Sequence, residues 1–168
     1  MGDVAEILLA DADVLIDYVS AEKAVLGFVS REIGPLKVLR EVLATVDGLS
    51  ERDCRGLRIE VIAVSTEELL AAGTERGALS YEDRLSLQTC VDRGWTCVSN
   101  DRTLLRECEA AAVPTRRGLS LLLHLVSCRA LTKRRALRIA EAIRQANPHH
   151  IHASVLAEFR TRLEAIEL

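Results

Sequence analysis

Aromatic residues and lysines are scarce in this chain of 168 residues. Only 3% of the residues are Phe, Trp or Tyr, whereas 49% are apolar, so Leu, Val, Ile and Ala must fill the core. Of the 22 basic residues, only Lys23, Lys37 and Lys133 are lysines, and the others are Arg. This arginine bias fits both guanidinium binding to phosphate and a GC-rich genome, and the sequence alone does not separate the two explanations.

The chain also lacks a positive net charge and a long apolar run. Its formal net charge is −3, so no global positive field attracts it to nucleic acid. No segment reaches the roughly 18–20 apolar residues that a membrane span needs, and no basic region followed by an apolar run stands at the N-terminus. We therefore expect a cytoplasmic protein without a membrane partner.

Paired cysteine motifs are missing as well. The five cysteines include no CxxC pair and their number is odd, which argues against a disulfide framework or a zinc site and predicts reduced, buried thiols. The sequence contains no Gly-rich phosphate loop, no GxSxG elbow and no HExxH motif.

Apolar patterning predicts strands that alternate with helices. Short apolar runs predict strands of one sheet at residues 7–10, 59–64 and 96–99. Helical spacing predicts a helix from about residue 15 to 29, ended by Gly34-Pro35, and further helices capped by Ser65 and Ser80. Later helices are predicted at residues 104–112, 119–126, 132–146 and 152–166. The polar stretch 47–56 is predicted to be a loop, and Gly73 and Gly77 are predicted to end the helix after Ser65.

This alternation predicts the α/β class, as a three-layer sandwich with a mainly parallel central sheet of four or five strands. We expect residues 1–128 to form the main domain and residues 129–168 to form a helical C-terminal extension packed on it. Leu119 to Val126 and the tail helices carry more apolar residues than one small domain obviously needs. That surplus predicts a homodimer or a covering partner.

Carboxylates recur where a strand ends or a helix begins. Asp11 follows the first strand, Asp101 follows the strand at 96–99, and Asp83 lies in the first turn of the helix that Ser80 caps. In open parallel sheets, sites form beyond the carboxyl ends of the strands. Crowded carboxylates need a cation, and hard oxygen ligands suit Mg²⁺ or Mn²⁺. Taken singly, however, each Asp fits a helix cap equally well.

Four acidic motifs in order resemble those of the PIN-domain ribonucleases, the fold of the VapC-type toxins. The resemblance covers roughly residues 5–128 and rests on the motifs together, since none of them is specific alone. The matching segments are Leu8-Leu9-Ala10-Asp11-Ala12-Asp13-Val14-Leu15-Ile16-Asp17, Val38-Leu39-Arg40-Glu41-Val42, Leu79-Ser80-Tyr81-Glu82-Asp83 and Val98-Ser99-Asn100-Asp101-Arg102.

The resemblance implies a divalent-metal-dependent endoribonuclease that hydrolyses RNA, as the toxin of a toxin–antitoxin pair with an antitoxin protein as partner. It implies that Asp11, Glu41, Asp83 and Asp101 are the catalytic metal ligands and that Ser99 supports them by hydrogen bonding. Ala12 and Asp13 depart from the family pattern, in which Thr-Ser or Thr-Asn is common. Asp13 then either adds charge to the site or caps the helix.

Two other functions remain open at the level of sequence. Asp11-Ala12-Asp13-Val14 resembles the start of haloacid-dehalogenase-like phosphatases, in which the first Asp is the nucleophile, but those enzymes also need a lysine near the phosphoryl group. A non-catalytic PIN-fold module that binds RNA or protein is the third reading. The cluster His149, His150 and His152 is predicted to be a polar helix start. The basic residues from Arg129 to Arg138 suit either a solvated face or RNA phosphates.

Overall fold

The computed structural model describes residues 5–74 and 77–168 and contains a five-stranded sheet in which all neighbouring strands are parallel. The strands are β1 (Leu8–Ala10), β2 (Leu36–Leu39), β3 (Ile59–Ile62), β4 (Thr96–Val98) and β5 (Thr115–Arg116). Their order across the sheet is β3-β2-β1-β4-β5. The predicted α/β class with a parallel central sheet is confirmed.

Helices cover both faces of the sheet. Those within the described residues are α1 (Ala12–Glu22), α2 (Val25–Glu32), α3 (Arg40–Leu43), α4 (Glu51–Gly56), α5 (Thr66–Thr74), α6 (Tyr81–Arg93), α7 (Arg102–Ala110), α8 (Gly118–Ser127), α9 (Lys133–Ala146) and α10 (Ala153–Glu164). Helices α1, α2, α8, α9 and α10 contact one another in one layer, and α5, α6 and α7 contact one another in the other. Together with the sheet they form the predicted three-layer sandwich with C-terminal helices.

The strand order reverses between β1 and β4. From β1 the chain adds β2 and then β3 on one side, and it returns through α5 and α6 to place β4 on the other side of β1. Right-handed crossovers produce this reversal when helices lie on both faces. A crevice opens beyond the carboxyl ends of the strands at such a point, and it is the usual place for a ligand in an open parallel sheet.

The predicted strands are confirmed with slightly shorter bounds, while two strands were not fully predicted. In the sequence, only the apolar pair Val38-Leu39 indicated strand β2, because the half-buried Lys37 interrupts its apolar run. Strand β5 has two residues, Thr115 and Arg116, and neither is apolar. Pairing with β4 defines β5 as a strand, and its composition does not.

The first predicted helix is two helices, α1 and α2, divided at Lys23 and Ala24. The chain turns at Gly34, as predicted, but the physical reason is a close approach. A Cβ atom at this position would lie 1.9 Å from the carbonyl oxygen of Glu6, so only Gly allows the two backbones to meet there.

The prediction of a loop at residues 47–56 is wrong for its second half, which forms α4. Ser50 and Asp53 form a capping box, in which the Asp53 backbone N–H donates to the Ser50 hydroxyl and the Ser50 N–H donates to the Asp53 carboxylate. The helix buries Cys54 and little else, so no apolar periodicity marks it.

Helix α5 begins at a capping box between Ser65 and Glu68, as predicted. Its predicted end, near Gly73 and Gly77, borders on residues 75 and 76, which lie outside the described residues. All five cysteines are free thiols, and all but Cys128 are buried, in agreement with the prediction. Within residues 5–74 and 77–168, no helix is long and apolar enough to cross a membrane.

The C-terminal helices pack on the rest of the chain. Helix α9 lies against α1, and α10 lies against α8 and α9. Arg135 and Arg138 both bind the carboxylate of Glu22, and Lys133 donates to the carbonyl oxygen of Glu164. Much of the basic stretch from Arg129 to Arg138 therefore attaches helices to one another, which weakens its interpretation as an RNA-binding patch.

Intramolecular packing also accounts for the apolar surplus of the tail. The apolar side chains of α8 and of the inner faces of α9 and α10 are buried within the chain. Among the described residues, the exposed large apolar side chains are Ile16, Leu70, Val91 and Leu168. They lie on separate elements or at the terminus, so the surplus that predicted a homodimer is already covered by the chain itself.

Candidate active site

Asp11 lies at the strand-order reversal. It follows β1 directly, and its backbone N–H donates to the carbonyl oxygen of Val98 at 2.9 Å, which extends the pairing of β1 with β4. Its side chain is 5% exposed and caps α1, because the Ala12 N–H donates to Oδ1 at 2.7 Å. The fully buried hydroxyl of Ser99 donates to Oδ2 at 2.8 Å. Residues 88 positions apart in the sequence are thus joined at the sheet edge.

Ser99 also connects Asp11 to Asp101. The backbone N–H of Asp101 donates to the Ser99 hydroxyl oxygen at 3.0 Å. The Asp101 carboxylate accepts from the Leu104 N–H at 2.8 Å and so caps α7. One hydroxyl therefore binds the two loops that leave β1 and β4.

Asp83 approaches the same site from α6. It forms a capping box with Ser80, in which the Asp83 N–H donates to the Ser80 hydroxyl at 3.1 Å and the Ser80 N–H donates to the Asp83 carboxylate at 3.4 Å. These acids thus take part in helix caps, Asp11 and Asp101 as N-caps and Asp83 as the capping-box partner of Ser80. They also lie close enough for the charge of one to act on another. We call Asp11, Asp13, Asp83 and Asp101 the acid cluster.

The pKa values of Asp11 and Asp83 reflect burial first and the neighbouring charges second. Burial is the main cause that raises the pKa of Asp11 to about 6; the charges of Asp83 and Asp13 add to the shift, and the Ser99 hydrogen bond opposes it. Burial also raises the pKa of Asp83, with further contributions from Asp101 and Asp13. Like charges this close penalise the ionised form. Asp13 therefore adds charge to the cluster, and the cap of α1 is Asp11.

Glu41 stands at the same edge of the sheet, in the one-turn helix α3 directly after β2. Its charge is not among the main causes of the pKa shifts of Asp11 and Asp83. Its Oε2 atom is buried and has no hydrogen-bond partner among residues 5–74 and 77–168. A buried carboxylate oxygen normally has a partner, so this atom fits a position that awaits a cation or a water molecule.

The donor chemistry of these residues suits Mg²⁺ or Mn²⁺, since all are carboxylates, their charges repel, and one buried oxygen lacks a partner. Within the described part of the chain, however, no group of three or more His, Cys, Asp or Glu residues is placed to hold a metal ion. Asp11, Asp83 and Asp101 instead direct oxygen atoms to their helix caps. Metal binding would require these carboxylates to turn towards one another.

The sequence indicated Arg117 and the three histidines only as separate basic features, and the structure brings them together beside Asp101. A cavity of about 290 Å³ next to Asp101 is lined by Arg102, Arg117 and the three histidines His149, His150 and His152. The histidines do precede α10, as predicted, but the packing of α10 on α8 brings them beside the site. The two arginine charges therefore lie next to the acids, although the net charge of the chain is negative.

Sequence reasoning missed Asp17 and Asn100, which fix the loop after β4. Asp17 is 3% exposed and accepts hydrogen bonds from the side-chain amides of Asn147 at 3.0 Å and Asn100 at 3.3 Å. Asn100 accepts in turn from the Gly118 N–H at 3.0 Å. Asn100 stood inside the motif around Asp101, but nothing in the sequence indicated its partners.

Comparison with known proteins adds no family to this description: no protein-family model matches the chain, and no curated protein matches it. The fold and the site define the protein as a parallel α/β protein with an acid cluster where the strand order reverses.

The raised pKa of Asp11 predicts a stability gain when its charge is removed. Between the ordinary Asp value and about 6, the folded protein binds more protons than the unfolded chain, so stability falls as the pH rises through this window. The full penalty at pH 7 is about 3 kcal/mol. We expect Asp11→Asn to stabilise the metal-free protein at pH 7 by about 1–2 kcal/mol, since the amide accepts weaker hydrogen bonds than the carboxylate.

Thermal unfolding in EDTA measures this effect. A gain of that size raises the Tm by about 2–8 °C in a chain of this length, and it should disappear near pH 4, where the folded carboxyl is already protonated. Asp47→Asn, in an exposed turn, is the control and should leave the Tm unchanged. Equal Tm values for Asp11→Asn and the wild type at pH 7 would contradict the assignment of a penalised charge.

Proposed function

We propose that the chain is a divalent-metal-dependent endoribonuclease of the PIN-domain type. The observation that carries the proposal is the acid cluster at the strand-order reversal, where burial and the charges of Asp83 and Asp13 raise the pKa of Asp11. Carboxylates crowded in this way are destabilising unless they serve a cation or a proton transfer. The four acids that the sequence motifs single out all lie at this edge of the sheet or in a helix that reaches it.

In the proposed reaction, Asp11, Glu41, Asp83 and Asp101 would hold Mg²⁺ or Mn²⁺, which would supply an activated water molecule and neutralise charge that develops on the phosphate. Ser99 keeps Asp11 oriented and positions the loop of Asp101 by its two hydrogen bonds. Asp13 increases the negative charge of the cluster and so favours cation binding.

The phosphatase alternative needs a lysine beside the phosphoryl group, and each lysine is held elsewhere. Lys23 binds Asp53 at 3.1 Å, Lys37 binds Glu60, and Lys133 donates to the carbonyl oxygen of Glu164 at 3.0 Å. None of these partners belongs to the acid cluster. We therefore prefer phosphodiester cleavage to a phosphoaspartyl mechanism.

We extend the proposal to a toxin role with an antitoxin protein as partner, on the basis of the sequence resemblance. A small upstream gene that encodes a DNA-binding protein would support it. The homodimer remains a proposal without support from the exposed apolar residues. Light scattering of the purified chain would test it.

Purified protein is expected to cleave single-stranded RNA in Mg²⁺ or Mn²⁺ and to stop when EDTA is added, because the four acids cannot neutralise a phosphate without cations. Gel analysis of a broad RNA panel measures this. Protein that neither cleaves RNA nor binds Mn²⁺ by calorimetry would favour the non-catalytic module. Metal-dependent hydrolysis of small phosphomonoesters that Asp11→Asn abolishes would favour the phosphatase.

A further inference from the structure

Two adjoining cavities extend from the acid cluster across the C-terminal helices. The first is the cavity of about 290 Å³ that contains Asp101 on its wall, and we call it the basic cavity. The second, of about 360 Å³, lies between α8 and α10, and we call it the apolar cavity. Asn100, Arg117, His150 and Val155 line both, so the two are continuous.

The apolar cavity has the walls of a small-ligand pocket. Its apolar lining comes from Leu119, Leu123, Ile151, Val155 and Phe159. Arg162 and Glu158, both exposed on α10, form its polar rim. Its volume is at the lower end of the range of about 300–1,000 Å³ that ligand pockets occupy. A flat apolar ring with hydrogen-bonding edges matches this lining, and a nucleobase is such a ring.

The arginines around the two cavities are available for phosphate. Other arginines of the chain form ion pairs, since Arg116 binds Glu6 and Arg135 binds Glu22. The ion pairs within the described ranges include none of Arg102, Arg117 and Arg162. A guanidinium without a carboxylate partner forks readily onto a phosphate.

Asn100 ties the cavities to the acid cluster. It stands between Ser99 and Asp101, and its amide is held by Gly118 on one side and by Asp17 on the other. One residue of the wall that the two cavities share is therefore adjacent to Asp101 in the chain and is held in place by two hydrogen bonds. A nucleotide bound there would have its neighbouring phosphate next to the acids.

We infer that the apolar cavity binds one nucleobase of single-stranded RNA and that the basic cavity binds the backbone phosphate linking that nucleotide to the acid cluster. The inference rests on the proposed function, because it names how the substrate of that site is held. Bases of a single strand are free to enter such a pocket. Apolar contact with the base and arginine contact with the backbone are the usual combination for single strands.

The test measures RNA binding separately from cleavage. In an Asp11→Asn background with EDTA present, fluorescence anisotropy follows a short, end-labelled, single-stranded oligoribonucleotide of mixed sequence. Val155→Trp, which narrows both cavities at the wall that they share, is expected to weaken the affinity about tenfold. Arg117→Ala is expected to weaken the affinity and to reduce the slope of log K against log salt by about 0.7, the value for one phosphate on a single strand.

Arg52→Ala is the matched control, since Arg52 is exposed on α4 and lines neither cavity; its affinity for the RNA and its salt slope should equal those of the Asp11→Asn protein. If Val155→Trp does not fold, Arg162→Glu, on the exposed rim, replaces it and should weaken binding several-fold. Unchanged affinity in Arg117→Ala and in the cavity variant would overturn the inference.

The two proposals fail in different ways. If the wild-type protein cleaves RNA and the cavity variants bind RNA as before, the nucleotide pocket is rejected and the nuclease function is retained. Binding that depends on the cavity, in a wild-type protein that cleaves no RNA, keeps the pocket and rejects the nuclease.

Discussion

Asp11→Asn is expected to reduce RNA cleavage by at least about a hundredfold, the usual minimum loss when a group that stabilises transition-state charge is removed. The substitution removes one charge and little volume. Asparagine can still accept the Ala12 N–H and pair with Ser99, so the fold should remain intact. Asp101→Asn should have a similar effect for the same reason. Rates of cleavage of one labelled RNA in Mn²⁺, with circular dichroism of each variant, measure both expectations.

Asp83 and Asp53 provide a matched pair for deciding between a helix cap and a catalytic acid. Both occupy the same position of a capping box, Asp83 with Ser80 and Asp53 with Ser50. Burial and the charges of Asp101 and Asp13 raise the pKa of Asp83, whereas the pKa of Asp53 is lowered by its hydrogen bonds to Ser50. Asp83→Asn should therefore lower cleavage strongly, whereas Asp53→Asn should lower only the stability. Full activity of the Asp83→Asn protein would show that this acid serves α6 alone.

Asp17→Ala is expected to destabilise the protein by about 2–4 kcal/mol, because it leaves the half-buried amides of Asn100 and Asn147 without their buried acceptor. The loss should lower the Tm by about 4–16 °C in a chain of this size. The Asp17→Asn protein retains one acceptor oxygen, so its stability should fall by less than that of Asp17→Ala. The effect extends to the site, because Asn100 holds the loop between Ser99 and Asp101.

Thermal unfolding of Asp17→Ala beside Asp47→Ala measures this prediction. Asp47 is exposed, and its replacement should change stability by no more than about 0.5 kcal/mol. Asp17→Ala should in addition weaken RNA binding at the cavities, since Asn100 lines both. A Tm equal to that of the Asp47→Ala control would mean that Asn100 and Asn147 find other partners.

Local patterns predicted the elements that carry their own signal. Strands β1, β3 and β4 are short apolar runs, and the caps at Ser65 and Ser80 stand at fixed spacing from their acidic partners. Helix α4 has an equivalent cap at Ser50, but it buries only Cys54 and therefore lacks the periodicity by which a helix is recognised. Strand β5 depends on its neighbour β4 alone.

The candidate site was predictable as a set of residues and unpredictable as an arrangement. The sequence placed Asp11, Asp83 and Asp101 at strand ends and helix starts, where both caps and ligands occur. The sequence did not indicate how closely these three acids approach one another, because their separation depends on the position of β4 beside β1. The same strand order lets Ser99 bind Asp11 across 88 positions of sequence.

By itself, therefore, the sequence determined the parallel α/β class, the positions of most helices and strands and the identity of the candidate acids, since these follow from the hydrophobic period and from local caps. Only the tertiary structure decided which charges share a site and what surrounds them. The packing of α10 on α8 brings His149, His150 and His152 to Asp101, and the Asp17 network fixes Asn100 between the cavities. Such contacts join residues far apart in the chain. Their energies depend on burial and distance, and a local sequence pattern predicts neither.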